Sequence, residues 1–246
     1  NTYNAYFYYV FDILGEHNFA LKFGANAEDL RYDNQSLKAN GVQNPDIPTL
    51  NLITSNKEAT INESLRDRAT AGFFGRINYN FKDRYLLELN GRYDGSSSFR
   101  PGKQWAFFSS ASAGYRISEE PFWQNIKPYV PTMKIRGSYG SVGNQALTSW
   151  YPYIATLTSK TVSWLGSDMN QKSTVSTPAA VNADMTWEKI RTLDFGFDAG
   201  FLNNELNVTF DWYLRRNVGM LVSGNEIIRY VGIASAPREN GGDLKT

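Results

Sequence analysis

The segment YLLELNGRYD, from Tyr85 to Asp94, alternates between two kinds of side chain. One set is apolar or small, and the other includes Glu88 and Arg92. Because successive side chains of a β-strand point to opposite faces of its sheet, the segment predicts a strand with one apolar and one charged face. The segment LNVTFDWYLR, from Leu206 to Arg215, repeats the pattern.

The same period of two occurs in eight segments along the chain, and no segment sustains helical periodicity. We therefore predict an all-β fold built from antiparallel strands. The predicted strands are Tyr3 to Asp12, Asn18 to Glu28, Ala71 to Phe81, Tyr85 to Asp94, Trp105 to Ile117, Met133 to Gly140, Leu193 to Phe201 and Leu206 to Arg215.

The charges of these eight segments are confined to one face. No Asp, Glu, Lys or Arg falls on the apolar faces, although 20% of the chain is charged. A Lys or Arg that faces lipid at mid-depth costs roughly 2 to 4 kcal/mol, so a lipid-facing surface explains the exclusion. The opposite faces carry Asp12, Lys22, Glu28, Arg76, Glu88, Arg92, Asp94, Arg116, Lys134, Arg136, Asp194, Asp198, Asp211 and Arg215.

The composition excludes several classes of protein. The 246 residues have a formal net charge of +1, contain no Cys and are 15% aromatic. A disulfide framework is therefore excluded, and a disordered chain is disfavoured because such chains contain few aromatic residues. Nucleic-acid binding is disfavoured by the balanced charge. The sequence contains no run of 18 apolar residues, so no transmembrane helix is predicted.

A soluble β-sandwich would show the same alternation, so the connections between strands matter. Short turns alternate with long excursions, as expected for an outer-membrane barrel with short periplasmic turns and long outer loops. We predict that residues 1–246 are part of one antiparallel transmembrane β-barrel domain, contributing about eight strands. The long outer loops are predicted at about residues 33–68, 141–189 and 216–242.

Four long motifs resemble a known family. They are RYLLELNGRYDGSSSFRPGKQWAFFSSASAGYRISEEPFW (Arg84 to Trp123), MKIRGSYGSVGNQ (Met133 to Gln145), TLDFGFDAGFLNNELNVTFDWYLRRN (Thr192 to Asn217) and SAPRENGGDLKT (Ser235 to Thr246). Together they resemble the barrel region of SusC/RagA-type TonB-dependent outer-membrane transporters of the Bacteroidetes. No motif of this family is evident in residues 1–68.

This resemblance implies that the chain is part of a larger barrel of about 22 strands. It further implies a plug domain and a TonB-binding segment, neither of which is recognisable in this sequence. The expected partners are a SusD-like surface lipoprotein, TonB and outer-membrane lipid. The expected activity is TonB-dependent import of a glycan or peptide, without a cofactor and without enzymatic chemistry. A passive porin, a small stand-alone barrel and a surface adhesion β-sandwich remain as alternatives.

Two groups of residues are candidates for function. Outer-loop residues of the kind that stack on a sugar or pack on a partner could contact cargo or the lipoprotein lid, or could simply pack loop against loop. They are Arg100, Trp150, Tyr151, Tyr153 and Trp164. Charges on the inner side of a barrel could contact the plug, water or cargo, or serve structure alone. They are Glu88, Arg92, Asp94, Arg116, Lys134, Arg136, Asp194, Asp198, Asp211 and Arg215.

Other chemistry is disfavoured by spacing. The single His17 has no His or Cys companion for a transition-metal site. Glu119 and Glu120 are adjacent, whereas a glycosidase needs two carboxyls that face each other across a substrate. We read this pair as the acidic start of a helical turn beside Pro121.

Overall fold

The computed structural model describes residues 1–38, 46, 60–145, 147, 149–157, 159–165, 171–176, 180–224 and 236–246. This part of the chain is almost entirely β-structure, with two short 3-10 turns at Ile117–Glu119 and Pro121–Trp123. Within these ranges, no helix has the length and apolarity needed to span a membrane.

The described ranges contain eleven strands, of which nine form one antiparallel sheet and two form a separate hairpin. The order in the sheet is β1-β2-β3-β4-β5-β6-β9-β10-β11, and β7 pairs with β8. The strands are β1 (Thr2–Ile13), β2 (His17–Lys38), β3 (Thr60–Phe81), β4 (Tyr85–Ser96), β5 (Trp105–Arg116), β6 (Thr132–Asn144), β7 (Ser159–Leu165), β8 (Gln171–Val175), β9 (Glu188–Phe201), β10 (Leu206–Ser223) and β11 (Arg238–Lys245).

All eight predicted strands are confirmed, and their register joins the eight apolar faces into one surface. We call this surface the apolar belt and the opposite surface the inner face. One row of paired belt residues crosses six strands through Phe81, Tyr85, Tyr115, Ile135, Phe197 and Phe210. The described strands lie in one layer rather than two, so the sandwich alternative is wrong.

Short turns set the register at one end of the sheet. Lys82 and Asp83 have φ values of 51° and 55°, and Arg84 N–H donates to the Phe81 carbonyl at 3.0 Å. Two consecutive residues with positive φ match the two-residue turns that suit the twist of antiparallel strands. Leu202, Asn203 and Asn204 also have positive φ in the turn that joins β9 to β10.

Several strands extend beyond their predicted outer ends. β2 continues to Lys38 and β3 starts at Thr60, so both enter the loop predicted at 33–68. Likewise β10 continues to Ser223, and the hairpin of β7 and β8 falls within the loop predicted at 141–189. Strands therefore occupy parts of the segments that were predicted as loops. Beyond the lipid, backbone pairing maintains a strand without an apolar face, so the alternation that the prediction used is lost.

The longest turn at this same end of the sheet, between β5 and β6, carries the predicted acidic helical turn. It contains Pro121–Trp123, and the preceding Glu120 is buried. The Glu120 carboxylate accepts hydrogen bonds from the hydroxyls of Tyr85 and Tyr115 at 2.9 and 3.1 Å and from Arg84 at 3.2 Å. These bonds tie the turn to the aromatic end of the apolar belt.

Candidate functional site

All ten predicted inner charges lie on the inner face. Pairings such as Arg136 with Gly196 and Gly196 with Asp211 place them on the same side of successive strands. Within the described residues, however, the charges do not form one site. They divide into two networks and a few separate cations.

The first network surrounds one guanidinium. Arg136 of β6 lies 3.5 Å from Asp194 and 3.3 Å from Asp198 of β9, and it also pairs with Asp211 of β10. Thr209 donates its hydroxyl to Asp198 at 3.1 Å. One cation thus holds three carboxylates on two neighbouring strands, which leaves the group with a net negative charge. We call Arg136, Asp194, Asp198 and Asp211 the Arg136 network.

Gly196 makes the Arg136 network sterically feasible. A Cβ atom at Gly196 would lie 2.7 Å from the carbonyl oxygen of Phe210 and 3.1 Å from Cζ of Arg136, and closer still to the carboxylate of Asp211. The absence of a side chain therefore leaves the space through which the Arg136 guanidinium reaches Asp211.

We expect Gly196→Ala to lower the free energy of unfolding by about 1 to 3 kcal/mol, because the new methyl group overlaps backbone and the Arg136 network. Gly91→Ala is the matched control, since a Cβ there meets Phe107 at an ordinary 3.4 Å. Urea unfolding of the full-length protein in detergent checks both variants. If both variants lose the same free energy of unfolding, the Arg136 network does not depend on Gly196.

The second network lies on β3 to β5. Arg92 donates two hydrogen bonds to Asp94, at 2.8 and 3.1 Å. Arg76 donates to Asn90 at 2.6 Å, and Asn90 donates to Glu88 at 2.8 Å. These bonds cross-link neighbouring side chains of the inner face, so the charges are structural here whatever else they contact.

The remaining predicted charges are cations outside both networks. Arg116 donates to the carbonyl of Asp83 at 3.3 Å, at the short-turn end of the sheet. Among the described residues, Lys134 and Arg215 have no acidic partner within 4 Å. Contact of these two cations with an occupant of the barrel interior stays a prediction.

A small buried core closes the outer end of the inner face. Phe99, Phe108 and Trp187 are 1%, 5% and 7% exposed, in a sheet whose other large side chains are mostly accessible. The Trp187 ring lies 5.3 Å from Phe99 and 5.6 Å from Phe108, centroid to centroid. Its indole N–H donates to the carbonyl of Gln104 at 2.8 Å. The residues just before β9 therefore fold over the inner face and hold the connection between β4 and β5.

Neighbours of Trp187 attach this core to two further strands. Thr186 N–H donates to the Asn240 side chain at 3.0 Å, and the Asn240 amide donates back to the Thr186 carbonyl at 3.0 Å. Glu188 accepts from Asn144 and from the Leu221 N–H, both at 2.7 Å. Residues 186–188 thus connect β6, β10 and β11 at the outer mouth.

Two of the predicted outer-loop residues contact the extended strands β2 and β3. The Trp150 ring lies 6.1 Å from Tyr32 and 5.8 Å from the Arg68 guanidinium. The Tyr151 hydroxyl donates to the Asp67 carbonyl at 2.7 Å, and burial raises its pKa, so it stays a neutral donor at physiological pH. These contacts favour the alternative in which Trp150 and Tyr151 pack against their own chain.

For the other three outer-loop residues, the described side chains of Tyr153 and Arg100 do not form a common site. Tyr153 packs edge-on against Tyr151 at 6.3 Å, and Arg100 is exposed in the connection between β4 and β5. Trp164 lies in β7, but its side chain falls outside the described part of the structure. Contact of these residues with cargo or a lid stays a prediction.

The sequence did not single out Phe99, Met185 or Trp187, although all three are buried at the mouth. Trp187 and its partner Gln104 are 83 residues apart, and no local periodicity links them. The available signal was an isolated Trp six residues before the predicted strand Leu193 to Phe201. Such a ring is commonly buried when its N–H finds an acceptor.

No group of three or more His, Asp or Glu side chains in the described ranges is arranged to hold a metal ion. In the Arg136 network, the cation between the carboxylates is the guanidinium itself.

Comparison with known proteins agrees with this architecture. The family described as TonB dependent receptor-like, beta-barrel matches residues 1–244. The chain is 33% identical over 189 residues to TonB-dependent receptor P26 of Formosa agariphila, covering 77% of this chain and 18% of that protein. It is 31% identical over 153 residues to TonB-dependent receptor SusC of Bacteroides thetaiotaomicron, covering 61% of this chain and 15% of that protein.

Among solved structures, the RagAB peptide transporter matches with a TM-score of 0.80 and 23% identity, covering 99% of this chain and 26% of that one. An apolar belt, a charged inner face and this strand topology define an outer-membrane β-barrel protein. The chain belongs to the TonB-dependent receptor β-barrel family, whose members are outer-membrane receptors and transporters of Gram-negative bacteria rather than enzymes. It spans less than a fifth of the length of the two curated relatives above.

Proposed function

We propose that this chain forms part of an active importer of the SusC/RagA type. The importer takes up a peptide or glycan through the barrel, using TonB and a SusD-like surface lipoprotein. The observation that carries the proposal is the family match over residues 1–244, since that family is named for its dependence on TonB. The plug and the segment that binds TonB would lie in parts of the protein outside this sequence.

Two features support the choice of cargo. The matching RagAB structure is described as a peptide transporter, which favours peptides. An inner face that carries the Arg136 network and the available cations Lys134 and Arg215 suits a zwitterionic or charged oligomer. For glycans, the support is weaker because Trp150 and Tyr151 are engaged with the chain itself.

A TonB-dependence assay tests the proposal against the passive porin. Cells that express the full-length protein are given labelled oligopeptides or oligosaccharides, with and without functional TonB. We expect uptake of one cargo class to require both TonB and the surface lipoprotein. Uptake that continues at the same rate without TonB would identify a passive pore and refute active import.

A further inference from the structure

A row of three cations crosses the outward face of three neighbouring strands. In the register, Arg191 of β9 lies opposite Arg216 of β10, and Arg216 lies opposite Lys245 of β11. We call these three residues the basic row. Lys189, two residues before Arg191, points to the same side and lies beside Val218.

The basic row lies at the outer edge of the apolar belt. The outward residues next below it, Leu193 and Leu214, are paired with each other and belong to the belt. The belt of β9 ends at Phe201, near the short turn, ten residues from Arg191. At about 3.4 Å per residue and a tilt of about 40°, ten residues span about 26 Å, close to the height of the apolar band of an outer-membrane barrel.

The charges of the basic row are not balanced within the described residues. Directly opposed like charges on neighbouring strands destabilise a sheet. Among the described residues, Asp243 is the one carboxylate within 4 Å of the row, and it binds Arg216 at 2.7 Å and the Gly219 N–H at 3.2 Å. One carboxylate faces three cations, and the Arg216 side chain is still 58% exposed.

Lipid headgroups at the depth of the basic row are a source of the negative charge that the described residues do not provide. An outer-membrane protein meets lipid headgroups where its apolar belt ends, and clusters of Lys and Arg at that level bind anionic headgroups. A phosphate group has several acceptor oxygens and can therefore bridge two guanidinium groups. A single carboxylate fixed on one strand bridges them less well. The basic row is continuous with the lipid-facing belt, so its ligand belongs to the lipid phase.

We propose that Arg191, Arg216 and Lys245 bind the phosphate groups of a phosphorylated lipid headgroup in the outer leaflet of the outer membrane. The bound phosphate neutralises the opposed arginines and fixes the depth of β9 to β11 in the membrane. This site lies on the outside of the barrel and is independent of the cargo pathway.

Native mass spectrometry of the full-length protein tests this site. The probes are phosphorylated lipid A, the same lipid after dephosphorylation, and inorganic phosphate. We expect the double variant Arg191→Gln and Arg216→Gln to bind phosphorylated lipid A about tenfold more weakly. The variant with Lys at both positions should keep most of the binding, because it keeps the charges.

Arg215→Gln is the control for the opposite face, since it removes one positive charge from the residue next to Arg216, and that residue points to the inner face. Its lipid binding should equal that of the wild type. The proposal is overturned if Arg215→Gln weakens binding as much as the double variant does. It is also overturned if dephosphorylated lipid A binds equally well, or if inorganic phosphate displaces the lipid at equal concentration, which would indicate a site for free phosphate.

Discussion

Replacing Trp187 by Ala should lower the free energy of unfolding by about 3 to 5 kcal/mol, the range for truncating a buried aromatic side chain. The ring is 7% exposed and packs against Phe99 and Phe108, and its N–H satisfies the carbonyl of Gln104. The substitution removes both ring contacts and the hydrogen bond to the Gln104 carbonyl, which then accepts only from the Ser96 N–H. Urea unfolding of the full-length protein, followed by loss of its heat-modifiable band on gels, measures the change.

Trp187→Phe separates packing from hydrogen bonding. It retains an aromatic ring against Phe99 and loses the donor to Gln104 and part of the ring volume, so its cost should be smaller, about 1 to 2 kcal/mol. A Trp187→Ala protein that unfolds within about 1 kcal/mol of the wild type would show that the mouth core is dispensable for stability.

The sheet could be predicted from sequence because both of its determinants are local. Alternation with a period of two identifies the strand and its faces, and a slip of one residue would expose every belt side chain to the barrel interior. The turn at Lys82 and Asp83 is followed directly by the pairing of Phe81 with Tyr85. Short windows of sequence were therefore enough to predict which segments form strands and which face of each strand is apolar.

The outer half could not be predicted in the same way. β2 beyond Glu28 carries charges on both faces, so its extension to Lys38 depends on pairing with β3 across a long connection. β11 contains two adjacent glycines and a single large apolar residue, Leu244, and its pairing with β10 is interrupted by a bulge. Periodicity is informative only where one face meets lipid.

The residues of the candidate site were predicted from the sequence, but their arrangement around Arg136 was not. The alternation within each strand predicted that every charged residue of the Arg136 network lies on the inner face. Their meeting around Arg136 depends on the strand order β6-β9-β10, which skips the hairpin of β7 and β8. A segment of more than forty residues separates β6 from β9, and nothing in its sequence states that these strands are neighbours.

The connection between β6 and β9 should be the part of the chain on which cargo uptake depends most. Deleting all of residues 141–189 would also remove Trp187 and the paired end of β6, so a loss of uptake would be uninformative. We therefore expect the decisive change to be replacement of residues 155–180 by a short Gly-Ser linker. This deletion removes the hairpin of β7 and β8 but keeps Tyr151 and the mouth core.

Uptake by the deletion variant should fall at least about tenfold, equivalent to 1.4 kcal/mol or more of lost interaction with cargo or lid. Barrel assembly should be unchanged, because the nine-stranded sheet pairs without this hairpin. Uptake is measured in cells that express the full-length protein, and assembly by heat-modifiable mobility. A control that keeps the length of 155–180 but consists of Gly and Ser separates the role of these side chains from that of loop length. If the deletion variant imports cargo at the wild-type rate, selectivity for cargo and lid lies in another outer connection.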